Sequence, residues 1–229
     1  LPHKSVMENT IYGLEIQGMS GKQAKERASH WIERVGLAGY EDNYPAQLSG
    51  GMQQRVGLAR ALATNADILL MDEAFSALDP LIRADMQNIL LDLQQELQKT
   101  IVFITHDLEE ALRIGDQIAI LRDGEVVQQG TPQQIVLKPS NDYIADFTRD
   151  INRGRVIQLK TIMSAPNDKA GPELSGEMLV EDAAQLVTES PSSQACVVDD
   201  HGRVVGIVGI NDLIRAMARP NIESRLEEL

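Results

Sequence analysis

Apolar residues recur at helical spacing near the start of the chain. Ala24, Ala28, Trp31, Ile32 and Val35 fall on one stripe of a segment opened by Met19-Ser20-Gly21. Gly36 and Gly39 end that segment and Pro45 marks a loop, so residues 1–47 read as helical. Then the pattern changes. Between residues 48 and 121, helical stretches alternate with short apolar runs at 68–71, 101–105 and 118–121. Each run is too short for a buried helix, and the alternation predicts βαβ order in a parallel sheet, with 68–71 as a buried strand. Leu121-Arg122-Asp123-Gly124-Glu125-Val126 predicts a hairpin with Asp-Gly at its tip. Thr131-Pro132 follows as N-cap and first helical residue.

A second domain is expected from residue 150. Residues 164–177 are rich in Ser, Pro, Gly, Asn and Lys and read as a loop. Beyond it the pattern gives a helix at 180–187, a strand at 196–199, an Asp200-His201-Gly202 turn, a strand at 204–208 and a helix at 211–218. This is a small βαββα-like module, present once and ending in a charged tail at 223–229. The length of 229 residues suits one ordinary domain plus a smaller one.

Composition narrows the classes. The net charge of −13 is spread along the chain: 13 basic against 21 acidic groups in residues 1–149, and 8 against 13 in residues 150–229. A duplex nucleic-acid binder concentrates basic charge on one face, so that class is disfavoured. Aromatic residues make up only 3%, so the core must come from Leu, Ile, Val, Ala and Met. The single Cys196 excludes an internal disulfide and fits a reducing compartment. No apolar run approaches the 18 residues of a membrane span and no signal peptide is visible, so any membrane role is expected to be peripheral.

Candidate chemistry begins at Leu48-Ser49-Gly50-Gly51-Met52-Gln53-Gln54-Arg55. Ser49 is a good N-cap, and two glycines at a helix start let a backbone approach an anion that free N–H groups can meet. An ordinary helix start has the same look. Further on, Ile68-Leu69-Leu70-Met71 delivers Asp72 and Glu73 to the C-terminal end of a strand, where ligands bind in open α/β sheets. One carboxylate there can hold Mg²⁺, directly or through water, and its neighbour can take a proton from an attacking water. The plain alternative is a strand followed by a polar loop. Ser76-Ala77-Leu78-Asp79 comes next, and His106 ends the strand at 101–105, so His106 and Glu73 are expected to face one site. Four such features in this order make coincidence a poor explanation.

In this order the segments resemble the ATP-binding cassette (ABC) ATPases. Leu48 to Arg55 resembles the signature sequence and residues 68–73 the Walker B strand with its catalytic glutamate. Ser76 to Asp79 is similar to the D-loop, and His106 to the switch histidine. The details of Met52-Gln53-Gln54-Arg55, Met71-Asp72-Glu73-Ala74-Phe75 and Ala77-Leu78-Asp79-Pro80 resemble glycine betaine/L-proline (osmoprotectant) importers. The second domain is similar to a single CBS (cystathionine-β-synthase) motif. In that comparison residues 155–163 supply its opening strand, 179–187 its first helix and 196–218 the strand pair and final helix.

The resemblance implies an α/β fold. A partial P-loop NTPase-like core with a helical subdomain at 1–47 and the signature, Walker B and switch region at 48–149 is followed by a small α+β CBS motif at 150–229. It implies ATP and Mg²⁺ as cofactors. Ser49, Gly50, Gly51 and Gln53 would contact ATP held by the partner of a homodimer. Asp72 would hold Mg²⁺, most simply through water. Glu73 would polarise the attacking water, His106 would hold the γ-phosphate and Asp79 would connect the two sites. Transmembrane permease subunits, and indirectly a substrate-binding protein, are the implied partners at the cytoplasmic face of the inner membrane, with no nucleic acid.

One element is absent. A G-x-x-x-x-G-K-[ST] loop does not occur: Gly21-Lys22 follows Ile16, precedes Gln23 and comes after no strand. The chain is therefore expected to be truncated at its N-terminus and inactive alone. The alternative reading is a non-hydrolysing, dimerising CBS-linked fragment that senses a ligand. A translation or repair ATPase fits less well, because such proteins carry two cassettes or long insertions. In the CBS motif, Asp212 stands where a ribose hydroxyl would be received, while Gly209 occupies the hydroxyl-bearing position. Arg215 and Arg219 lie four apart on the last helix, where an anionic membrane surface or plain solvent are the two readings.

Overall fold

The computed structural model describes residues 1–76, 78–166 and 171–218. Ala77 of the D-loop segment, residues 167–170, Arg219 and the tail at 223–229 lie outside the described residues. Two units divide at His106/Asp107.

The first unit opens with three mutually packed helices: α1 (Val6–Ile16), α2 (Gly21–Arg34) and α3 (Gly50–Ala63). Ser5 starts α1 with a reciprocal cap, its hydroxyl accepting from Glu8 N–H while Glu8 accepts from Ser5 N–H. The stripe Ala24, Ala28, Trp31 and Ile32 is buried as its spacing predicts, and Val6, Leu14, Val56, Ala59 and Leu62 complete the packing. A short 3₁₀ turn at Pro45–Gln47 leads into α3. Then come strand β1 (Ile68–Asp72), helix α4 (Pro80–Leu97) and strand β2 (Thr100–Ile104), with β1 and β2 paired in parallel. Met86, Leu90 and Leu93 are buried on one stripe of α4.

Two expectations are corrected here. The run at 68–71 is not a buried strand: Ile68 is 57% and Leu70 74% exposed, and their neighbours Val102 and Ile104 are 48% and 57% exposed. Among the described residues this sheet has two strands, and one of its faces meets solvent. The third run, β3 (Ile118–Arg122), does not extend that sheet but pairs antiparallel with β4 (Glu125–Gly130). A two-residue loop draws the next strand back onto β3. Asp123 and Gly124 both have positive φ (53° and 83°), the backbone of a type I′ turn.

In the second unit, α5 (Leu108–Ile114), the β3–β4 hairpin, α6 (Pro132–Leu137) and α7 (Asp142–Phe147) enclose one hydrophobic cluster, built on Leu112, Ile118, Ile120, Ile135, Val136, Ile144 and Val156. Thr131 caps α6 with Pro132 as its first residue. A second cluster begins at Ile157 and runs to Ala216. Around it lie α8 (Leu159–Ile162), β5 (Glu173–Ser175), α9 (Val180–Glu189), β6 (Gln194–Val198), β7 (Val204–Gly209) and α10 (Ile210–Met217). The βαββα order stands, but its first strand is β5, parallel to β6, inside the stretch read as a loop. Residues 155–163, expected as that strand, instead form a turn and α8. Leu159 and Lys160 donate to the carbonyls of Met178 and Gly176, curling this segment instead of extending it.

Trp31, the single tryptophan, is nearly buried on α2 and reports on the first unit. Phe75→Ala should lower its stability by about 3–5 kcal/mol, since Phe75 is only 1% exposed. Leu70→Thr, on the open sheet face, should shift it by no more than about 0.5 kcal/mol. Denaturant unfolding followed by Trp31 fluorescence measures both; equal effects would mean that the open face is covered in solution.

Candidate functional site

Parallel pairing sets the first part of the site. Asp72 is in register with Ile104, so Asp72, Glu73 and His106 emerge at one end of the two strands. Glu73 N–H donates to the Ile104 carbonyl at 2.9 Å, one rung beyond the strand. Its φ is nonetheless 45°, in the left-handed region that a non-glycine residue enters at a cost of about 1–2 kcal/mol. Backbone of this kind is stored where a side chain must be aimed. Here the aim is visible: Glu73 Oε1 lies 3.3 Å from His106 Nδ1. Both side chains are more than half exposed, so the pair adds little to stability. The loop behind Glu73 is fixed by two bonds to its carbonyl, from Ser76 N–H at 3.2 Å and Ser76 Oγ at 3.0 Å. Phe75 anchors the loop against Phe103 of β2, with ring centroids 5.5 Å apart.

The glycine-rich helix start forms the second part. Ser49 caps α3, its hydroxyl accepting from Met52 N–H at 3.3 Å. The two glycines differ. A Cβ on Gly50 would meet nothing within 4 Å, whereas one on Gly51 would stand 2.5 Å from Ile82 Cγ2. Gly51 thus lets the first turn of α4 pack on α3, and Gly50 is the position left open to a ligand. Asp79 caps that same turn of α4, its Oδ1 accepting from Leu81 and Ile82 N–H at 3.1 Å each. The Gly51–Ile82 contact therefore brings the glycine-rich start of α3 beside the Asp79 cap. Gln53 folds back on its own approach loop, donating to the carbonyls of Pro45 and Leu48 at 3.1 and 3.2 Å.

Arg55, named in the sequence only as part of the glycine-rich segment, donates to the Val35 carbonyl at 3.2 Å and ties α3 to the end of α2. Gly36 beside it has a positive φ of 72°, and a Cβ there would come 2.8 Å from the Arg55 guanidinium. In the second unit, Asp212 turns toward the start of its own helix, Oδ2 accepting from Gly209 N–H at 2.9 Å. Gly21-Lys22 opens α2 and follows no strand. Among the described residues, no group of three or more His, Cys, Asp or Glu side chains could hold a metal ion without outside ligands.

Residues 1–76 match the ABC transporter family, and residues 170–219 match the CBS domain. The glycine betaine/carnitine transport ATP-binding protein of Listeria monocytogenes is 50% identical over 227 residues, covering 97% of this chain and 55% of that protein. The first third of the chain is thus similar to the ABC transporter family, and residues 170–219 are similar to the CBS domain. The glycine betaine transport ATP-binding protein of Bacillus subtilis is 48% identical over 94% of this chain and 50% of its own length. The chain thus spans about half the length of these curated relatives. A dimeric ATP-binding cassette solved in a post-hydrolysis state with ADP and Pi is 37% identical, with a TM-score of 0.52 over 58% of each chain. The ABC match takes in Ser49 to Gln53, Asp72 and Glu73; Asp79 and His106 follow it.

The contrast between the glycines is measurable. Gly51→Ala should destabilise the first unit by about 1–3 kcal/mol through overpacking on Ile82. Gly50→Ala should leave stability unchanged or raise it by up to about 1 kcal/mol. Equal losses in denaturant unfolding would remove the packing role from Gly51.

Proposed function

We propose that this chain serves in the ATP-hydrolysing subunit of an ABC importer for glycine betaine and proline-type osmoprotectants, with the CBS domain regulating turnover. The observation that carries the reading is the Glu73–His106 pair, aimed by a left-handed backbone at the C-terminal end of parallel strands. The similarity to betaine transport ATP-binding proteins supports the choice of cargo. In this reading the chain meets the membrane through permease subunits at its cytoplasmic face; no described helix is long and apolar enough to cross a membrane.

Glu73 receives a proton from the water that attacks the γ-phosphate, and its contact with Nδ1 holds the His106 ring for a phosphate oxygen. Asp72 is an exposed carboxylate with no ready-made cage around it, which fits an Mg²⁺ completed by waters and phosphate oxygens. Bound there, the ion would neutralise charge on the phosphates. In a dimer, Ser49 and the open Gly50 meet the nucleotide carried by the other subunit, with Gly51 and Gln53 holding their loop in shape. The α3 N–H groups and dipole favour an anion at this end. Asp79, capping the turn beside the signature, links nucleotide contact at one site to the loop that carries Glu73. Hydrolysis then waits on closure of the dimer, and the helices at 1–47 pass that motion to the permease. Asp212 is placed for a ligand of the CBS domain once it releases Gly209 N–H.

In the full-length ATPase assembled with its permease, Glu73→Gln should cut phosphate release by about 10²–10⁴-fold while ATP stays bound and the dimer stays closed. Normal turnover, or a monomer with ATP, would remove Glu73 from this role. Deleting the CBS domain from residue 157, where the hydrophobic clusters change, should alter the salt dependence of transport in liposomes. Identical salt curves would make the domain structural.

A further inference from the structure

Arg153 joins the two clusters of the second unit by hydrogen bonds, beside the apolar contact that Leu137 of α6 makes with the second cluster. The turn Arg153–Arg155 lies between them, and the Arg153 guanidinium reaches in two directions. Nη2 donates to the Val136 carbonyl at 2.7 Å, and Nη1 donates to the Ala218 carbonyl at 3.3 Å. Both acceptors are helix-end carbonyls: Val136 belongs to the last turn of α6, and Ala218 is the C-cap of α10. Such carbonyls lack intrahelical partners and carry the negative end of the helix dipole, so a cation there is favoured at both ends at once. The planar fork of arginine suits this double role in a way that a lysine ammonium does not. Burial pushes this guanidinium below the usual arginine value, in keeping with its half-buried position between the clusters.

The turn is seated firmly. A Cβ on Gly154 would come within 3.3 Å of Asn152 Oδ1 and Glu181 Cβ and 3.4 Å of Met217 Cγ, so the backbone lies against both α9 and α10. Arg155 pairs with Glu181 at 3.0 Å, and Gln133 of α6 donates to the Val156 carbonyl at 3.2 Å. Of these contacts, Arg153 alone bonds an element of each cluster. Its partner α6 packs on α5, the helix that follows His106 in the chain.

We propose that Arg153 is the coupling residue of the CBS domain: by capping α6 and α10 together it makes the order of α6 depend on the order of α10. Loosening α10 withdraws the Ala218 carbonyl, the guanidinium loses one of its two anchors, and the last turn of α6 frays. The use of this coupling in regulating turnover rests on the function proposed above, but the coupling itself is read without nucleotide or permease.

Amide hydrogen exchange on the full chain tests it. Ala216→Gly weakens α10 without removing a large core side chain, and should speed exchange there about fivefold. With Arg153 in place, the amides of Val136 and Leu137 should speed up as well. In Arg153→Met the α10 response should persist and the α6 response vanish. Arg153→Lys, which keeps charge and stem without the fork, should at least halve the α6 response. Arg155→Met should leave it intact, because that side chain bonds only within the CBS cluster. An undiminished α6 response in Arg153→Met or Arg153→Lys, or no α6 response in the parent chain, would overturn the proposal. Loss of salt regulation alone would bear on the CBS role and not on this coupling.

Discussion

Everything at the candidate site depends on the in-register pairing of β1 with β2. That register places Asp72 opposite Ile104 and allows the amide of Glu73 to add one further rung. Glu73 is thus the last residue of a ladder and the first of a turn, two demands that only a left-handed backbone meets here. The strain is balanced locally, by the Ser76 bonds to the Glu73 carbonyl and by burial of Phe75. A slip of one residue in the pairing would reverse the face of every side chain on one strand and separate Glu73 from His106.

The residues that carry the proposed chemistry also hold the fold together. Ser49 and Asp79 are N-caps, Gly51 is a packing contact and Asp212 closes the start of α10. Capping has a geometric consequence. A helix N-terminus that presents N–H groups to an anion must have a cap that spares some of them, and Ser49 occupies only the Met52 amide. Asp79 accepts both of its bonds through Oδ1, so the second oxygen of that carboxylate is not used in the cap. Structural and chemical roles are therefore compatible at these positions, and a loss-of-function substitution there needs a stability control before it is read as chemistry.

Local signals were legible in the sequence. The stripe of α2, the Asp-Gly hairpin and the Thr131-Pro132 helix start each follow from neighbouring residues alone, and each appears as expected. The Glu73–His106 juxtaposition was legible too, because parallel strands with an intervening helix place their C-terminal ends together. What required tertiary information was not. The run at 118–121 carries two readings, a third strand of the parallel sheet and the first arm of the Asp-Gly hairpin, and the two-residue turn to β4 decides for the hairpin. Residues 155–163 are expected as a strand only from the resemblance to a CBS motif, and they instead form a turn and α8, with Leu159 and Lys160 donating to the Met178 and Gly176 carbonyls. Arg153 gave no signal, since its two acceptors are backbone carbonyls 17 and 65 residues away.

The two faces of the β1–β2 sheet are unequal, and the inequality bears on how the site is held. Both strands are apolar on both faces, the composition of a sheet covered on each side. Yet Ile68, Leu70, Val102 and Ile104 stand exposed, while Leu69, Met71, Ile101 and Phe103 are half-buried. The ring of Phe75 meets Phe103 on the half-buried side, so the aromatic anchor of the loop that aims Glu73 lies on that side. A substitution on the open face changes area already in contact with water and leaves this anchor untouched. One that shortens Phe75 or Phe103 acts directly on the left-handed turn. The position of the Glu73 carboxylate is thus governed by one face of a two-stranded sheet, and the aromatic pair on that face is the part of the core that the site cannot do without.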